Sequence, residues 1–303
     1  MLAHHGDVSI HWEDRGPVDG ETILLVMGLG AQLIAWRDGF CDRLVDHGYR
    51  VIRFDNRDVG LSSTTPGTPP SFADMATLFG PRPVRRPVPY TLSDMAGDAV
   101  AVLDAAGVRR AHVVGASLGG MIAQTMAIEH PDRLISLTSI MSKTGALRVG
   151  LPTTKVLRKV MQPTPVERAA ALDYELERAA LTCGPLFDRV AMAEFLAEAH
   201  DRAPDRSGMA FQLTAMFASG DRTPALRRLE VPTLVVHGRA DELVRLSGGV
   251  ATARAIPGAA LEVHNEMGHD LPAPLWPALT DSIAAHARRA AAATLREFSG
   301  SSV

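Results

Sequence analysis

The stretch that decides the fold is VVGASLGGMIAQ, residues 113–124, where an apolar strand-like run changes to a helix-like run at Ser117. Gly115 and Gly119 complete a G-x-S-x-G pattern around this serine. A sharp turn from strand to helix strains the serine backbone and projects its hydroxyl out of the sheet, while glycines leave room for neighbouring backbone. The helix that follows presents unpaired N–H groups to developing negative charge. The pattern predicts that Ser117 is a nucleophile; the alternative is a small residue that only turns the chain.

The residues that a nucleophilic serine needs follow it in the sequence. A serine hydroxyl is a poor nucleophile at neutral pH, so it requires a base and a carboxylate that orients the base. In the order expected after such a turn, the acid comes before the histidine, each on a loop beyond a later strand. The run TLVVHG leads into RADELV, which puts Asp241 past a strand end, and ALEVHN leads into EMGHDLP, which puts His269 there.

Two neighbouring carboxylates are alternatives to this acid. Glu242 adjoins Asp241, but Asp241 is closer to the strand end and has the shorter side chain. Asp270 adjoins His269 and could act only if its loop reversed. Asp241 itself could instead be a carboxylate that pairs with a helix dipole.

Two backbone N–H groups must face the oxygen on which negative charge develops. Leu118, directly after the serine, is expected to supply one of them. The other is expected from MGLG, residues 27–30, which follows the first long strand-like run. Leu29 is the predicted donor, with Gly28 or Gly30 as alternatives, and a plain glycine turn is the simpler interpretation.

Apolar runs of strand length alternate with helix-like segments along the chain. Continuous apolar runs are typical of strands buried on both faces of a parallel sheet. A strand at residues 8–12 is predicted to add an antiparallel edge, and a capping-box variant marks Thr91 as a helix N-cap. Helices are predicted at residues 35–47, 91–106 and 118–129, and strands at 22–28, 49–55, 111–117, 134–141, 233–238 and 260–265. This alternation predicts a doubly wound α/β fold, with a mostly parallel central sheet flanked by helices.

The alternation stops at residues 143–229, which we predict to be a helical cap inserted into a core formed by residues 1–142 and 230–303. Three or four helices are expected there, separated at Pro152, Pro163, Pro165, Pro185 and Pro204. Apolar side chains in the cap either form its own core or line an apolar substrate pocket: Met161, Phe187, Met192, Phe195, Met209, Met216 and Phe217.

Residues 63–89 form a proline-rich segment that is too long for a simple connection. We expect it to leave the sheet at the carboxyl end of a strand, where α/β proteins bind ligands, and to line the site entrance together with the cap. Arg85 and Arg86 in this segment either are solvated surface charges or steer an anionic substrate.

Composition narrows the class of partner. The 303 residues are 46% hydrophobic and 21% charged with a net charge of −3, which argues against nucleic-acid binding. Cys41 and Cys183 have neither metal-ligand nor disulfide-framework spacing. The amino terminus lacks a signal-peptide pattern, and the longest apolar run is too short for an integral membrane segment. We therefore expect a soluble cytoplasmic protein that needs no cofactor and no metal; assembly into a homo-oligomer stays open.

With these residues in place, the chain resembles serine hydrolases of the α/β-hydrolase superfamily. Four landmarks in order carry the resemblance: MGLG, FDNRDVGLS at residues 54–62, GASLGG at 115–120, and GRAD followed by MGH. In LVMG, VIRFDNRD and AHVVG it is most similar to the aclacinomycin methylesterase-like group and related actinobacterial lipases and esterases. The resemblance implies an α/β-hydrolase fold with Ser117 as nucleophile, His269 as base and Asp241 as acid. The Leu29 and Leu118 amides are implied as oxyanion donors.

One landmark departs from the family pattern. FDNRDVGLS has Asp58 where the D-x-R-G-x-G-x-S form has glycine. Asp55 and Arg57 are expected to be a structural turn pair and not catalytic groups.

The residues and the resemblance together predict a serine hydrolase that cleaves carboxylic esters through an acyl-enzyme. Thioesters and lipid-like esters are included, and the substrate is expected to be a small apolar molecule. Hydrolysis of a C–C bond in a ring-cleavage product is the alternative, because it uses the same triad. A ligand receptor with a vestigial triad is a third hypothesis, since fold alone does not fix function.

Overall fold

The computed structural model describes residues 1–70, 88–162, 164–165, 167–205 and 207–300, except for the side chains of residues 294–300. Eight strands of this part of the chain form one sheet: β1 (Leu2–His5), β2 (Val8–Arg15), β3 (Thr22–Val26), β4 (Arg50–Phe54), β5 (Ala111–Ala116), β6 (Leu134–Ile140), β7 (Thr233–Gly238) and β8 (Ala260–His264). Their order across the sheet is β1-β2-β4-β3-β5-β6-β7-β8. All neighbours from β4 to β8 pair in parallel, while β1–β2 and β2–β4 are antiparallel.

The sheet confirms the predicted α/β architecture with two differences at its edges. β1 was not predicted; it is a short, polar strand that pairs with β2 across a turn at Gly6, whose φ of 58° suits glycine. The expectation that every parallel strand is buried on both faces is wrong for β8. Its five residues are exposed or half-buried because β8 is an edge strand with β7 as its neighbour.

Helices of the core flank the sheet, and all helices of the described residues are numbered here in chain order. They are α1 (Asp38–Asp46), α2 (Leu92–Ala105), α3 (Leu118–Glu129), α4 (Thr154–Val160), α5 (Arg168–Thr182), α6 (Arg189–Arg202), α7 (Met209–Ala218), α8 (Thr223–Leu226), α9 (Ser247–Ala255) and α10 (Trp276–Gly300). β3 contributes to the cores on both sides of the sheet, because Leu24 and Val26 face α2 and α3 while Ile23 and Leu25 face α1 and α10. No helix within the described residues is long and apolar enough to cross a membrane.

Two predicted helix starts have different outcomes. Thr91 caps α2 as predicted, in a capping box with Asp94, whose carboxylate accepts the Thr91 backbone N–H at 2.8 Å. The helix predicted from residue 35 begins later, at Asp38. The preceding residues instead form a separate 3-10 turn, Leu33–Ala35, with hydrogen bonds between residues three apart.

Residues 143–229, called the insertion below, connect β6 to β7 and carry α4 to α8 in their described part. Of the prolines predicted to separate the helices, Pro152, Pro165, Pro185 and Pro204 lie outside helices, as expected from a residue that lacks the N–H needed in a helix interior. Pro224 lies in the first turn of α8, where that N–H is not needed. Five helices are present where three or four were predicted, and the fifth, α8, is only four residues long. Pro163 lies outside the described residues. So do residues 71–87, which include Arg85, Arg86 and most of the proline-rich segment.

Candidate active site

The predicted nucleophile lies at a strained turn between β5 and α3. Ser117 has φ 55° and ψ −118°, in the left-handed region that costs a non-glycine residue about 1–3 kcal/mol. Two hydrogen bonds from residues at the end of β6 hold this backbone: the Ser117 N–H donates to the Ile140 carbonyl at 2.9 Å, and the Ser142 hydroxyl donates to the Ser117 carbonyl at 2.7 Å. The end of β6 therefore fixes the geometry of the turn.

The glycines of the motif are required by close backbone contacts. A Cβ on Gly115 would lie 2.2 Å from the Gly119 carbonyl oxygen, and one on Gly119 would lie 2.0 Å from the Val26 carbonyl oxygen. Both contacts involve backbone atoms, which cannot move aside as a flexible side chain can. The turn is therefore compatible only with glycine at these two positions.

Three predicted side chains, each from a different loop at the carboxyl edge of the sheet, form a hydrogen-bonded line. The Ser117 Oγ lies 2.9 Å from the His269 Nε2, and the His269 Nδ1 lies 2.8 Å from the Asp241 Oδ2. In the tautomer with its proton on Nδ1, the imidazole donates to Asp241 and accepts the serine proton at Nε2. The predicted nucleophile, base and orienting carboxylate thus stand in hydrogen-bonding order.

The orientation of Asp241 is set by its own loop. Its buried Oδ1 accepts the N–H groups of Leu243 at 2.9 Å and Val244 at 2.8 Å, so Oδ2 is left for the histidine. His237 packs behind it and donates from Nε2 to the Val244 carbonyl at 2.7 Å. Burial lowers the pKa of His237, which favours the neutral form of this ring beside the Asp241 carboxylate.

The two alternative carboxylates have other partners. Glu242 points away and accepts the Thr153 hydroxyl at 3.1 Å. Asp270 accepts the N–H groups of Gly184 at 3.3 Å and Gly268 at 3.1 Å, and burial raises the pKa of its carboxyl group. Asp241 is therefore the carboxylate in contact with His269.

The insertion also contacts the histidine loop directly. The backbone N–H of His269 donates to the carbonyl of Thr182, the last residue of α5, at 2.8 Å. Gly184 packs so closely against this loop that a Cβ would lie 2.4 Å from the Glu266 carbonyl oxygen. Together with the bond from Gly184 to Asp270, these contacts fasten the end of α5 to the histidine loop.

The loop after β3 lies against Ser117. A Cβ on Gly28 would be 3.1 Å from the Ser117 Cβ. Gly28 itself accepts the Ala31 N–H through its carbonyl at 3.2 Å, and the Gly30 N–H donates to the Gln212 side chain at 2.9 Å. The Leu29 N–H makes no hydrogen bond with any residue in the described part of the chain.

Leu118 is the first residue of α3, where an N–H group has no acceptor within the helix. The two amides predicted as oxyanion donors, at Leu29 and Leu118, are thus available for a ligand. The Gly30 amide, one of the two alternatives, is already occupied.

Asp55 and Arg57 are buried structural residues, but they do not pair with each other as a turn would require. Arg57 forms a two-pronged ion pair with Asp98, with both N–O distances at 2.6 Å. Asp55 instead receives Arg202 of the insertion at 2.8 Å and the Leu33 N–H at 2.7 Å.

The backbone conformation at Asp58 explains why the D-x-R-G-x-G-x-S form has glycine at this position. Asp58 has φ 67°, the left-handed region that glycine enters without steric cost. Its buried carboxylate offsets part of that cost, because it accepts hydrogen bonds from Tyr90 and from both the N–H and the hydroxyl of Thr65.

Neither cysteine is placed as a second nucleophile. Burial raises the pKa of Cys41 to about 11 and also raises that of Cys183, where the Asp270 carboxylate adds to the effect. Both thiols therefore stay protonated at neutral pH. The described residues contain no group of three or more His, Cys, Asp or Glu side chains that could hold a metal ion.

A cleft of about 330 Å³ lies beside this line of residues and not over Ser117. It separates the insertion from the Asp241 loop and is lined by Lys155, Ala180, Leu181, Cys183, Gly184, Pro185, Ala240 and Glu242. The half-buried Ser117 is thus not part of its wall.

Comparisons with known proteins agree with this architecture. The chain is 30% identical over 94% of its length to rhodomycin D methylesterase of Streptomyces peucetius, of which it covers 96%. It is 31% identical over 59% of its length to 2-hydroxymuconate semialdehyde hydrolase of Pseudomonas putida, of which it covers 63%. A putative aryl esterase from Burkholderia cenocepacia has a similar fold, with a TM-score of 0.74 and 21% identity over 96% of this chain and 99% of that one. The alpha/beta hydrolase fold family model matches residues 21–272, and the chain belongs to that family.

Proposed function

We propose that this protein hydrolyses a carboxylic ester of a small molecule through a covalent acyl-enzyme. The observation that carries the proposal is the hydrogen-bonded line from Ser117 through His269 to Asp241, at the carboxyl edge of a parallel sheet. The similarity to a methylesterase over nearly the whole chain supports an ester as substrate.

In the proposed first step, Ser117 attacks the ester carbonyl. A bond forms from Oγ to the carbonyl carbon, the serine proton passes to His269 Nε2, and the carbonyl π electrons move onto oxygen. Asp241 stabilises the imidazolium without taking its proton. The new oxyanion receives the Leu29 and Leu118 N–H groups, each of which contributes roughly 3 kcal/mol in such sites.

The intermediate then loses the alcohol, which takes the proton from His269 as its C–O bond breaks. Water repeats the sequence on the acyl-enzyme, with His269 again as base, and Ser117 is regenerated as the carboxylic acid leaves. Every proton transfer uses one imidazole nitrogen, so the mechanism requires no group beyond those already in contact.

We propose further that residues 143–229 act as a cap over a core of residues 1–142 and 230–303. Met209 of the insertion supports this, because its Sδ lies 3.0 Å from where a Cβ on Gly30 would be, next to the predicted oxyanion donor Leu29. An apolar side chain at this point favours an apolar acyl or alcohol group. Cytoplasmic location and homo-oligomer assembly stay predictions from the sequence.

The test is Ser117→Ala, assayed with p-nitrophenyl esters of increasing chain length and with a fluorophosphonate probe. Loss of both turnover and labelling is expected, because Ser117 Oγ is the one oxygen among the described residues that hydrogen-bonds to His269 Nε2. Ser136→Ala is the matched control, since this buried serine lies at the opposite end of the sheet and bonds to His112. Full activity of Ser117→Ala would refute the proposal, and turnover of a ring-cleavage product without any ester would favour C–C hydrolysis instead.

A further inference from the structure

Gln212 of α7 joins the insertion to the oxyanion loop, which we define as residues 27–33. Its side chain is fully buried, and both ends of its amide are used. The Oε1 accepts the Gly30 N–H at 2.9 Å, and the Nε2 donates to the Arg57 carbonyl at 2.7 Å. A single side chain of the insertion therefore bridges two core loops.

Other hydrogen bonds also hold the oxyanion loop in place. Asn56 donates its side-chain amide to the Met27 carbonyl at 2.8 Å, and the Leu33 N–H reaches Asp55. Gln32 is held by the insertion as well, since its side chain donates to the Ala199 carbonyl at 2.6 Å. The Gly28 carbonyl and the Gly30 N–H on either side of Leu29 are thus held, while the Leu29 N–H makes no hydrogen bond within the described part of the chain.

Gly30 is the flexible point of this loop. It has φ 64°, and glycine passes between backbone regions with little steric cost. Without an acceptor for its N–H, the peptide unit between Leu29 and Gly30 can rotate, which displaces the neighbouring Leu29 amide. The bond from Gly30 to Gln212 prevents that rotation.

We infer that Gln212 is a positioning residue, which holds the oxyanion loop so that the Leu29 amide faces the reacting carbonyl oxygen. The inference rests on the proposed function, because it assigns a role in the same oxyanion hole. Gln212 contacts no reacting atom; it acts through Gly30. A purely structural role, as a brace for the insertion, would lower stability without a selective effect on the transition state.

The test compares Gln212→Met with wild type on p-nitrophenyl butyrate. Methionine has a similar length and lacks both hydrogen-bonding atoms. We expect kcat to fall about 10-fold with KM within about twofold, a smaller loss than the roughly 100-fold or more that follows removal of an oxyanion donor itself. Thr214→Val is the matched control, because this buried hydroxyl bonds to the Ala210 carbonyl of its own helix and to no other residue in the described ranges.

Inhibition by an alkyl trifluoromethyl ketone distinguishes a positioning role of Gln212 from a purely structural one. Ser117 adds to its carbonyl carbon, the serine proton passes to His269, and the carbonyl oxygen becomes an oxyanion in the same site. Its inhibition constant should rise by the same factor as kcat falls in Gln212→Met, and stay unchanged in Thr214→Val. Unchanged kcat, or reduced kcat with unchanged ketone affinity, would overturn the inference.

A second variant covers the case in which Gln212→Met does not fold. Gln212→Asn keeps the polar amide but is one methylene too short to span Gly30 and Arg57, so it should show the same parallel loss. Wild-type kcat in a folded Gln212→Asn variant would also refute the role. Failure of the proposed function would look different, as Ser117→Ala would then retain activity whatever happens at Gln212.

Discussion

Replacing Asp241 with asparagine is expected to abolish most activity while leaving the fold intact. The buried Oδ1 of Asp241 accepts two N–H groups, from Leu243 and Val244, and only Oδ2 faces His269. An asparagine that keeps both backbone bonds must turn its NH₂ group toward the histidine Nδ1. The neutral ring then accepts at Nδ1 and carries its proton on Nε2, where no lone pair is left for the serine proton.

The size of the expected fall in kcat depends on the free-energy cost of the other orientation of the asparagine amide. A flipped amide would restore the correct tautomer but set its NH₂ group against the Leu243 and Val244 N–H groups. Two hydrogen bonds are then lost, at about 1 kcal/mol each, and two amides are left without their acceptor. At roughly 1–3 kcal/mol for each buried N–H left unsatisfied, the inactive orientation is favoured by about 2–6 kcal/mol. We therefore expect kcat to fall between about 30-fold and 10⁴-fold, the upper end being the loss expected of a triad held in the wrong tautomer.

The assay is kcat and KM on p-nitrophenyl butyrate at pH 7 to 9, with thermal unfolding to verify the fold. Glu242→Gln is the control, because this neighbouring carboxylate is exposed and bonds to Thr153, so its activity should match wild type. A kcat of the Asp241→Asn variant within about 10-fold of the wild-type value would refute the tautomer argument. A large loss in Glu242→Gln would instead reassign the acid.

Two further predictions concern stability. Gly119→Ala should lower the free energy of unfolding in urea by about 1–3 kcal/mol, because its Cβ would meet the Val26 carbonyl oxygen at 2.0 Å; a change below about 0.5 kcal/mol would contradict the close packing. His286 is buried neutral, and desolvation lowers its pKa to about 4. The stability that neutral His286 contributes is therefore fully present above its pKa in the unfolded chain, near 6.5. It is lost as the pH falls towards 4, which lowers the free energy of unfolding by about 3 kcal/mol. His286→Gln should lose less stability than wild type between pH 7 and about pH 4.5, and equal losses would exclude His286 as the titrating group.

The parts of the fold and site that the sequence predicted are those that have a local sequence signal. Gly115 and Gly119 mark the Ser117 turn because their backbone contacts involve residues of the turn itself or the adjacent strand. The apolar runs place Asp241 and His269 because a parallel sheet brings successive carboxyl ends to one edge. These signals lie within a few residues of the features that they predict.

The features that were not predicted depend on distant contacts. Gln212 has the pattern of an ordinary helix residue, and its partners Gly30 and Arg57 are 182 and 155 positions away. The pairing of Asp55 with Arg202 has the same origin. β8 looks like a buried strand by composition, but its exposure depends on its place at the edge of the sheet.

The contacts of the insertion limit how this protein can be redesigned. Thr182 supplies an acceptor to the His269 backbone, Gly184 packs against the same loop, and Gln212 holds Gly30. The insertion is therefore not an independent module that can be deleted or exchanged freely. A chimera that imports another enzyme's substrate-binding helices would need to reproduce these three anchor points, and a graft chosen only for its apolar lining would weaken the chemistry it was meant to redirect.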